Sequence, residues 1–402
     1  MSFSVAMLSV HTSPLDIPGR TKDAGGMNVY IRELARELGH RQITVDIFTR
    51  RTNEHTPRIV QLSPYVRVIS IKAGPPGPVH KNDLYQYLPV FTRQIDEFRR
   101  SEAVEYDVLH SHYWLSGIAG IQLAERWDIP HVTMFHTIAR LKQMANPNEP
   151  EPPLRLAMEQ HLMKHADRII ATTVEERTQI LRYCGATASQ VEVIPCGVDL
   201  KLFIPQNKQQ AREKLQPVLL FVGRLDPFKG ADLLLHAAAM MEENAQIVIV
   251  GGDPQGDKEL EHLKQLTQDL DISQRVHFLG ARPQPELPAI YSAADVTVVP
   301  SYHESFGLVA VESLACGTPV VATSAGGLTT VVRQGETGYL VPRCAGFFAT
   351  RLDMLLRDPD LLEQMRLAAR PSVLKFSWGS VADQVSGVYE EMISEMRRLV
   401  AQ

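Results

Sequence analysis

Two acids eight residues apart, Glu304 and Glu312, and two cations five apart, Arg224 and Lys229, are charges whose surroundings in the sequence suit chemistry. Glu304 follows Asp295-Val-Thr-Val-Val-Pro300, an apolar β-branched run that reads as a buried parallel strand. The chain then turns through polar residues into a helical run stopped by Gly317 and Pro319. Glu304 thus sits where a strand's carboxyl end meets a helix N-terminus, beside the backbone N–H groups of Ser305, Phe306 and Gly307. A carboxylate in that place suits ligand hydroxyls better than phosphate. Counted along one helix, Glu312 lies roughly 12 Å further on and about 80° around. Acids so spaced cannot share a proton, but they can hold two ends of one long ligand. The same spacing also describes two unrelated surface acids.

The cations lie in the turn Gly223-Arg-Leu-Asp-Pro-Phe-Lys-Gly230, which follows the strand-like run Val218–Val222 and precedes another helix. An Arg fork and a Lys point charge at a strand's carboxyl end suit a diphosphate, although solvated residues would give the same pattern. Gly25-Gly26 has a similar setting. The run Val5–Val10 reads as a strand, a polar loop follows, and an amphipathic helix begins with Met27, Ile31, Leu34 and Leu38 on its apolar face. The pair fits either close backbone approach to a ligand or a plain tight turn. G-x-G-x-x-G is absent.

These residues need a scaffold of alternating strands and helices, and the sequence supplies it. Further strands read at 44–49, 66–71, 107–110, 131–135, 168–172, 191–194, 246–250 and 276–279, with a last helix from Phe376-Ser-Trp378 to about Arg398. Lys81 follows a Pro/Gly loop, His136 and Thr137 end a strand, and Arg155 falls on a helix after the loop Asn146–Pro153. His110 and His112 are expected on opposite faces of their strand, which argues against a metal pair. Pro195–Pro205 reads as an interdomain linker.

The 402 residues exceed one ordinary core and indicate two domains. A composition of 44% hydrophobic and 22% charged residues describes a globular chain. The formal charge of −5 argues against a broad nucleic-acid surface. No apolar run reaches membrane-spanning length, and Ser2–Ser9 is too short for a signal peptide. Cys184, Cys196, Cys316 and Cys344 show no paired spacing, so a cytoplasmic location with free thiols is expected. Asp269-Leu-Asp271 and Asp358-Pro-Asp360 spell D-x-D but flank helices away from strand carboxyl ends, so they are expected to be surface residues and not metal ligands.

Taken in order, Gly25-Gly26, Arg224…Lys229, Arg282, Glu304…Glu312 and Phe376-Ser-Trp378 resemble the retaining glycosyltransferase family 4. The resemblance spans nearly the whole chain. It implies an α/β GT-B fold, with two Rossmann-like domains facing each other across a cleft. The acceptor domain would span 1–198, with the helix 378–402 packing back on it, and the nucleotide-sugar domain 199–377. By the same resemblance Arg224 and Lys229 hold the donor diphosphate, and Glu312 takes the ribose hydroxyls. Glu304 contacts the donor sugar, Phe306, Gly307 and Leu308 lie nearby, and residues after Gly280, including Arg282, frame the base. His136 would line the donor sugar and, with Glu304, Arg224 and Lys229, form the catalytic set.

Asp23–Tyr30, His110–Gly117 and His136–Lys142 look like motifs of the inositol 3-phosphate N-acetylglucosaminyltransferases of mycothiol synthesis. In them a Lys, a Tyr, a Thr and an Arg enclose the acceptor phosphate, matching Lys81, Tyr113, Thr137 and Arg155, while Asn28 matches an inositol contact. The related sucrose-phosphate synthases act on fructose 6-phosphate and normally carry Gln where this chain has Asn28. The implied partners are a nucleotide sugar, taken as UDP-linked, and a small phosphorylated acceptor. A homodimer is compatible with the resemblance, and no cofactor or metal is implied, since the cations can neutralise the departing diphosphate. Two rivals stand beside this reading. A phosphorylase of the same architecture would carry a lysine motif for pyridoxal phosphate, and none is seen. A non-catalytic nucleotide-sugar binder would need neither Lys81 nor Arg155.

Overall fold

The computed structural model describes residues 3–16, 25–148, 150–207, 218–252 and 258–400. The chain divides into two compact units, one of residues 1–16, 27–195 and 378–402, the other of 17–26 and 196–377.

In the first unit, strands β1 (Ser4–Ser9), β2 (Thr44–Arg50), β3 (Ile59–Ser63), β4 (Val66–Ile71), β5 (Val108–His112), β6 (His131–Met134), β7 (Arg168–Ala171) and β8 (Val191–Val193) form one sheet in the order β3-β4-β2-β1-β5-β6-β7-β8. All neighbours are parallel except β3 and β4. Helices α1 (Gly26–His40), α2 (Leu88–Ser101), α3 (Tyr113–Trp127), α4 (Ala139–Ala145), α5 (Pro153–His165) and α6 (Val174–Tyr183) connect them. β1 is buried almost throughout because helices cover both faces of a parallel sheet, so its run Val-Ala-Met-Leu is apolar without alternation. The edge strand β3 does not stand out in the sequence. Its Ile59 and Leu62 stay exposed, and only β4 pairs with it.

The second unit holds β9 (Val218–Val222), β10 (Gln246–Val250), β11 (Val276–Phe278), β12 (Val296–Val299), β13 (Val320–Thr323) and β14 (Gly338–Val341), all parallel, in the order β11-β10-β9-β12-β13-β14. Its helices are α7 (Ala231–Met240), α8 (Lys258–Asp269), α9 (Leu287–Ala293), α10 (Leu308–Ala315), α11 (Leu328–Val331), α12 (Ala345–Arg357) and α13 (Pro359–Val373). The final helix α14 (Trp378–Val400) belongs to the first unit. There the Tyr389 hydroxyl meets His110 Nδ1 at 2.6 Å, Trp378 lies edge-on to Tyr30, and Arg397 pairs with Asp107 at 3.0 Å.

Both sheets reverse strand order beside their first strand, at β1/β5 and at β9/β12. Open parallel sheets leave a crevice at the carboxyl ends of such strands, because the connections on either side run to opposite faces. The turn with Arg224 and Lys229 follows β9, the segment with Glu304 follows β12, and Tyr113 follows β5.

Among the described residues no helix is long and apolar enough to cross a membrane. Asp269 and Asp271 are exposed, as are Asp358 and Asp360, and Asp358 caps α13 by accepting the Leu361 N–H at 2.9 Å.

Gly251, just past β10, fixes the floor beside the β9 turn. Its φ is +145°, and a Cβ there would stand 1.8 Å from the Gly223 carbonyl oxygen. We therefore expect Gly251→Ala to destabilise the second unit by at least about 3 kcal/mol. Denaturant unfolding followed by near-UV circular dichroism checks this, and an unmoved transition would contradict the packing described.

Candidate active site

In the second unit the turns after β9 and β12 are fastened together. The Tyr302 N–H donates to the Phe228 carbonyl at 2.9 Å, and their rings pack with centroids 5.6 Å apart. Asp226 caps the short 3-10 turn Pro227–Lys229 by accepting the Phe228 N–H. Across this junction Lys229 Nζ donates to Glu304 Oε1 at 2.6 Å, and Ser301 Oγ donates to the same oxygen at 2.8 Å. Burial works to raise the Glu304 carboxyl, but Lys229, with the Ser301 hydroxyl and His303, together outweigh it, and the group lies below the ordinary glutamate range. Glu304 is therefore a carboxylate at neutral pH.

Glu304 and Glu312 do not lie on one helix. α10 begins only at Leu308, capped by Gly307 in the left-handed region, so the separation counted along a continuous helix does not apply. Glu312 is inside α10 and buried, and Tyr291 OH donates to its Oε2 at 2.8 Å. Burial pushes its carboxyl up to about 7 against the hydrogen bonds from Tyr291 and Gln284. One acid is held charged by a cation, and the other is half-protonated near neutrality.

Gly25 and Gly26 cluster with this second unit. A Cβ on Gly25 would lie 3.6 Å from Arg224 Nε, and one on Gly26 would lie 3.0 Å from Leu308 Cδ1. Arg282 makes an exposed ion pair with Glu286 at 3.5 Å. Phe306 is buried and lies edge-on to Phe376 at 5.2 Å.

Two further features support the Glu304 segment. Gly326 and Gly327 follow β13, and a Cβ on either would meet backbone atoms of residues 304–306 at 2.1–2.4 Å. The Gly327 N–H donates to the Glu304 carbonyl at 2.7 Å. Arg343, just past β14, donates to the Pro300 carbonyl at 3.2 Å and stacks on Tyr302. The sequence signals were a further Gly-Gly after a strand and an Arg at a strand's carboxyl end.

In the first unit Tyr113, Thr137 and Arg155 come together. The Arg155 guanidinium lies 4.9 Å from the Tyr113 ring centre, and its Nη2 donates to the Thr137 carbonyl and hydroxyl at 2.9 and 3.1 Å. Arg155 is only 2% exposed and is also bound by two acids, Glu159 at 2.7 Å and Glu151 at 2.8 Å. Lys142 Nζ bonds the other Glu151 oxygen at 2.5 Å. Lys81 opens the 3-10 segment Lys81–Tyr87, whose Tyr85 stacks on Trp114 at 6.0 Å, next to Tyr113. Asn28 is fully buried. Its amide donates to Thr12 Oγ1 at 2.7 Å and to the Ser13 carbonyl, and so pins the loop after β1.

Two aromatic residues at strand ends have a strained backbone. Tyr113 has φ 74° and His136 has φ 58°, a region that bulky residues rarely occupy. His136 Nε2 meets His112 Nδ1 at 3.0 Å, and its ring lies edge-on to Tyr30. His110 and His112 do not point to opposite faces. Residues two apart on a strand share a face, and these rings lie 4.2 Å apart. Burial, assisted by neighbouring histidines, holds His110 near 3 and His112 well below the ordinary value. Burial also holds His131 and His136 near 3, with His11 adding to the effect at His136.

Residues 24–202 match the family described as Glycosyltransferase Family 4, and residues 204–371 match Glycosyl transferases group 1. The D-inositol 3-phosphate glycosyltransferase of Acidothermus cellulolyticus is 42% identical, over 99% of this chain and 92% of its own length. That of Kribbella flavida is 43% identical, over 98% and 96%. The sucrose-phosphate synthase structure from Thermosynechococcus elongatus superposes with a TM-score of 0.92 at 34% identity, covering 98% of this chain and all of its own. The chain belongs to glycosyltransferase family 4. As in its GT-B relatives, each half of this glycosyltransferase is built on a mainly parallel sheet.

The histidine cluster of this glycosyltransferase is neutral, which has a linkage consequence. An unfolded histidine titrates near 6.5, well above these native values. The four side chains therefore subtract stability as pH falls below about 6.5, each by up to about 1.4 kcal/mol per pH unit, and contribute nothing further above it. In an NMR titration, His110, His112, His131 and His136 should keep the shifts of neutral imidazole down to about pH 5. A midpoint near 6.5 for any of them would contradict the burial described.

Proposed function

We propose that this glycosyltransferase moves a hexose, glucose or N-acetylglucosamine, from a UDP-sugar to a hydroxyl of a small phosphorylated acceptor, with retention at the anomeric carbon. The observation that carries the acceptor half is the meeting of Tyr113, Thr137 and Arg155, drawn from three separate segments, with Lys81 on the segment packed beside them. A hydroxyl that donates and a cation that neutralises make a phosphate site without metal. Relatives named for inositol 3-phosphate and for sucrose phosphate support the same class of acceptor.

On the donor side we assign the diphosphate to Arg224 and Lys229, with Ser305, Phe306, Gly307 and Leu308 at the α10 terminus beside it. The carboxylate of Glu304 and the acid of Glu312 take sugar and ribose hydroxyls. The acceptor hydroxyl attacks the face from which the diphosphate leaves. The new C–O bond forms as the bond to the diphosphate breaks, and the hydroxyl proton passes to a departing phosphate oxygen. The protein contributes positioning and stabilisation of the leaving charge. We assign neutral His136 to the donor sugar. A cytoplasmic site of action fits this co-substrate.

Nucleotide release tests the reading when UDP-, GDP- and ADP-sugars are offered with inositol 3-phosphate, fructose 6-phosphate, inositol and fructose, with and without EDTA. Turnover is expected with a UDP-sugar and one of the phosphorylated acceptors. Loss of the acceptor phosphate should lower kcat/KM by at least about tenfold, the scale of one charge-assisted contact. EDTA should leave the rate unchanged. Equal use of a neutral acceptor would overturn the phosphate assignment, and donor binding without turnover on any acceptor would favour a non-catalytic binding protein.

A further inference from the structure

The cations beside Thr137 already hold an anion, and it is part of the protein. Glu151 places one carboxylate oxygen on Lys142 Nζ at 2.5 Å and the other on Arg155 Nη1 at 2.8 Å. Two oxygens of one planar anion bridging two cations is the arrangement a phosphate group would adopt there. The local charges also balance, since Lys142 and Arg155 face Glu151 and Glu159. A phosphate dianion added to this balanced cluster would have to share the same two cations with both carboxylates, in a site where Arg155 and Glu159 are almost wholly buried.

The two acids are not equivalent. Glu159 lies within α5, gives one oxygen to Arg155 Nε and accepts the Ala139 N–H on the other at 2.7 Å, so its departure would orphan a buried donor. Glu151 precedes α5, which begins at Pro153, and both its oxygens are spent on cations alone. It can swing away without breaking a helix or stranding a backbone group. Arg155 would keep Glu159 and Thr137, and would offer its freed Nη1 beside Lys142.

We propose that Glu151 is an internal anion seated on the acceptor-phosphate cations, and that an incoming phosphate must displace it, so that this side chain sets the affinity and selectivity for phosphorylated acceptors. The inference rests on the phosphorylated-acceptor reading above. It adds Lys142 to the phosphate ligands and makes Glu151 a specificity-determining residue. A neutral acceptor cannot displace the carboxylate and leaves the cation pair satisfied.

The test uses inorganic phosphate as a competitive inhibitor against the acceptor, together with acceptor KM, in the full-length enzyme. Glu151→Gln keeps shape and removes charge. It should lower both the phosphate Ki and the acceptor KM by at least about fivefold, with affinity for UDP unchanged. Glu151→Asp retains charge without the reach to both cations, should give a smaller gain of the same sign, and serves if the Gln variant does not fold. A Ki and KM that stay level or rise in both variants would overturn the proposal and leave Glu151 as a clamp on the 146–152 segment. A different result would overturn the underlying reading. If Arg155→Gln, made in the Glu151→Gln background, leaves the preference for phosphorylated over neutral acceptors intact, the phosphate site lies elsewhere.

Discussion

The ion pair between Lys229 and Glu304 joins the two halves of the second unit's switch point. It ties the turn after β9 to the segment after β12 at 2.6 Å, and most of what surrounds it serves to keep those loops in place. Asp226 caps the lysine's turn, Arg343 holds Pro300, and Gly326-Gly327 lies against the backbone of 304–306. Both charges are partly buried, the lysine side chain 23% and the glutamate 16% exposed. Removing one partner would leave the other poorly solvated, so the pair is a constraint on the loops more than a source of net stability. A diphosphate bound at this turn would compete with Glu304 for the same ammonium.

The first unit treats charge and neutrality differently on neighbouring strand ends. In β5 and just past β6 the histidines are neutral, and His112 and His136 pack with Tyr30 and Trp378 into an aromatic wall. On α5, Arg155 is held charged by two carboxylates in a buried setting. The positive φ at Tyr113 and His136 persists because the surrounding packing dictates it.

Much of the fold was legible because buried parallel strands read as continuous apolar or β-branched runs without alternation, as in β9 and β12. The edge strand β3 was not, since none of its residues is buried and its pairing comes from β4 alone. At the candidate site, residue types at strand ends could be read one at a time, but their partners could not. The i,i+4 spacing of Arg155 and Glu159 was in the sequence and signals a helix pair, whereas the burial that makes it matter depends on α3 and α4 packing nearby. Positive φ at Tyr113 and His136 left no sequence mark, because neither position carries the glycine or asparagine that announces it.

The central claim is that the second unit's switch point binds a nucleotide diphosphate through its cations while Glu304 serves the sugar. Calorimetric binding of UDP to the wild type, Lys229→Ala and Glu304→Gln tests it most directly, because UDP carries the phosphates and lacks the sugar. The account predicts that Lys229→Ala weakens UDP by roughly 1.5–3 kcal/mol, while Glu304→Gln binds it at least as tightly as the wild type. Unchanged UDP affinity in Lys229→Ala, or a loss confined to Glu304→Gln, would contradict it.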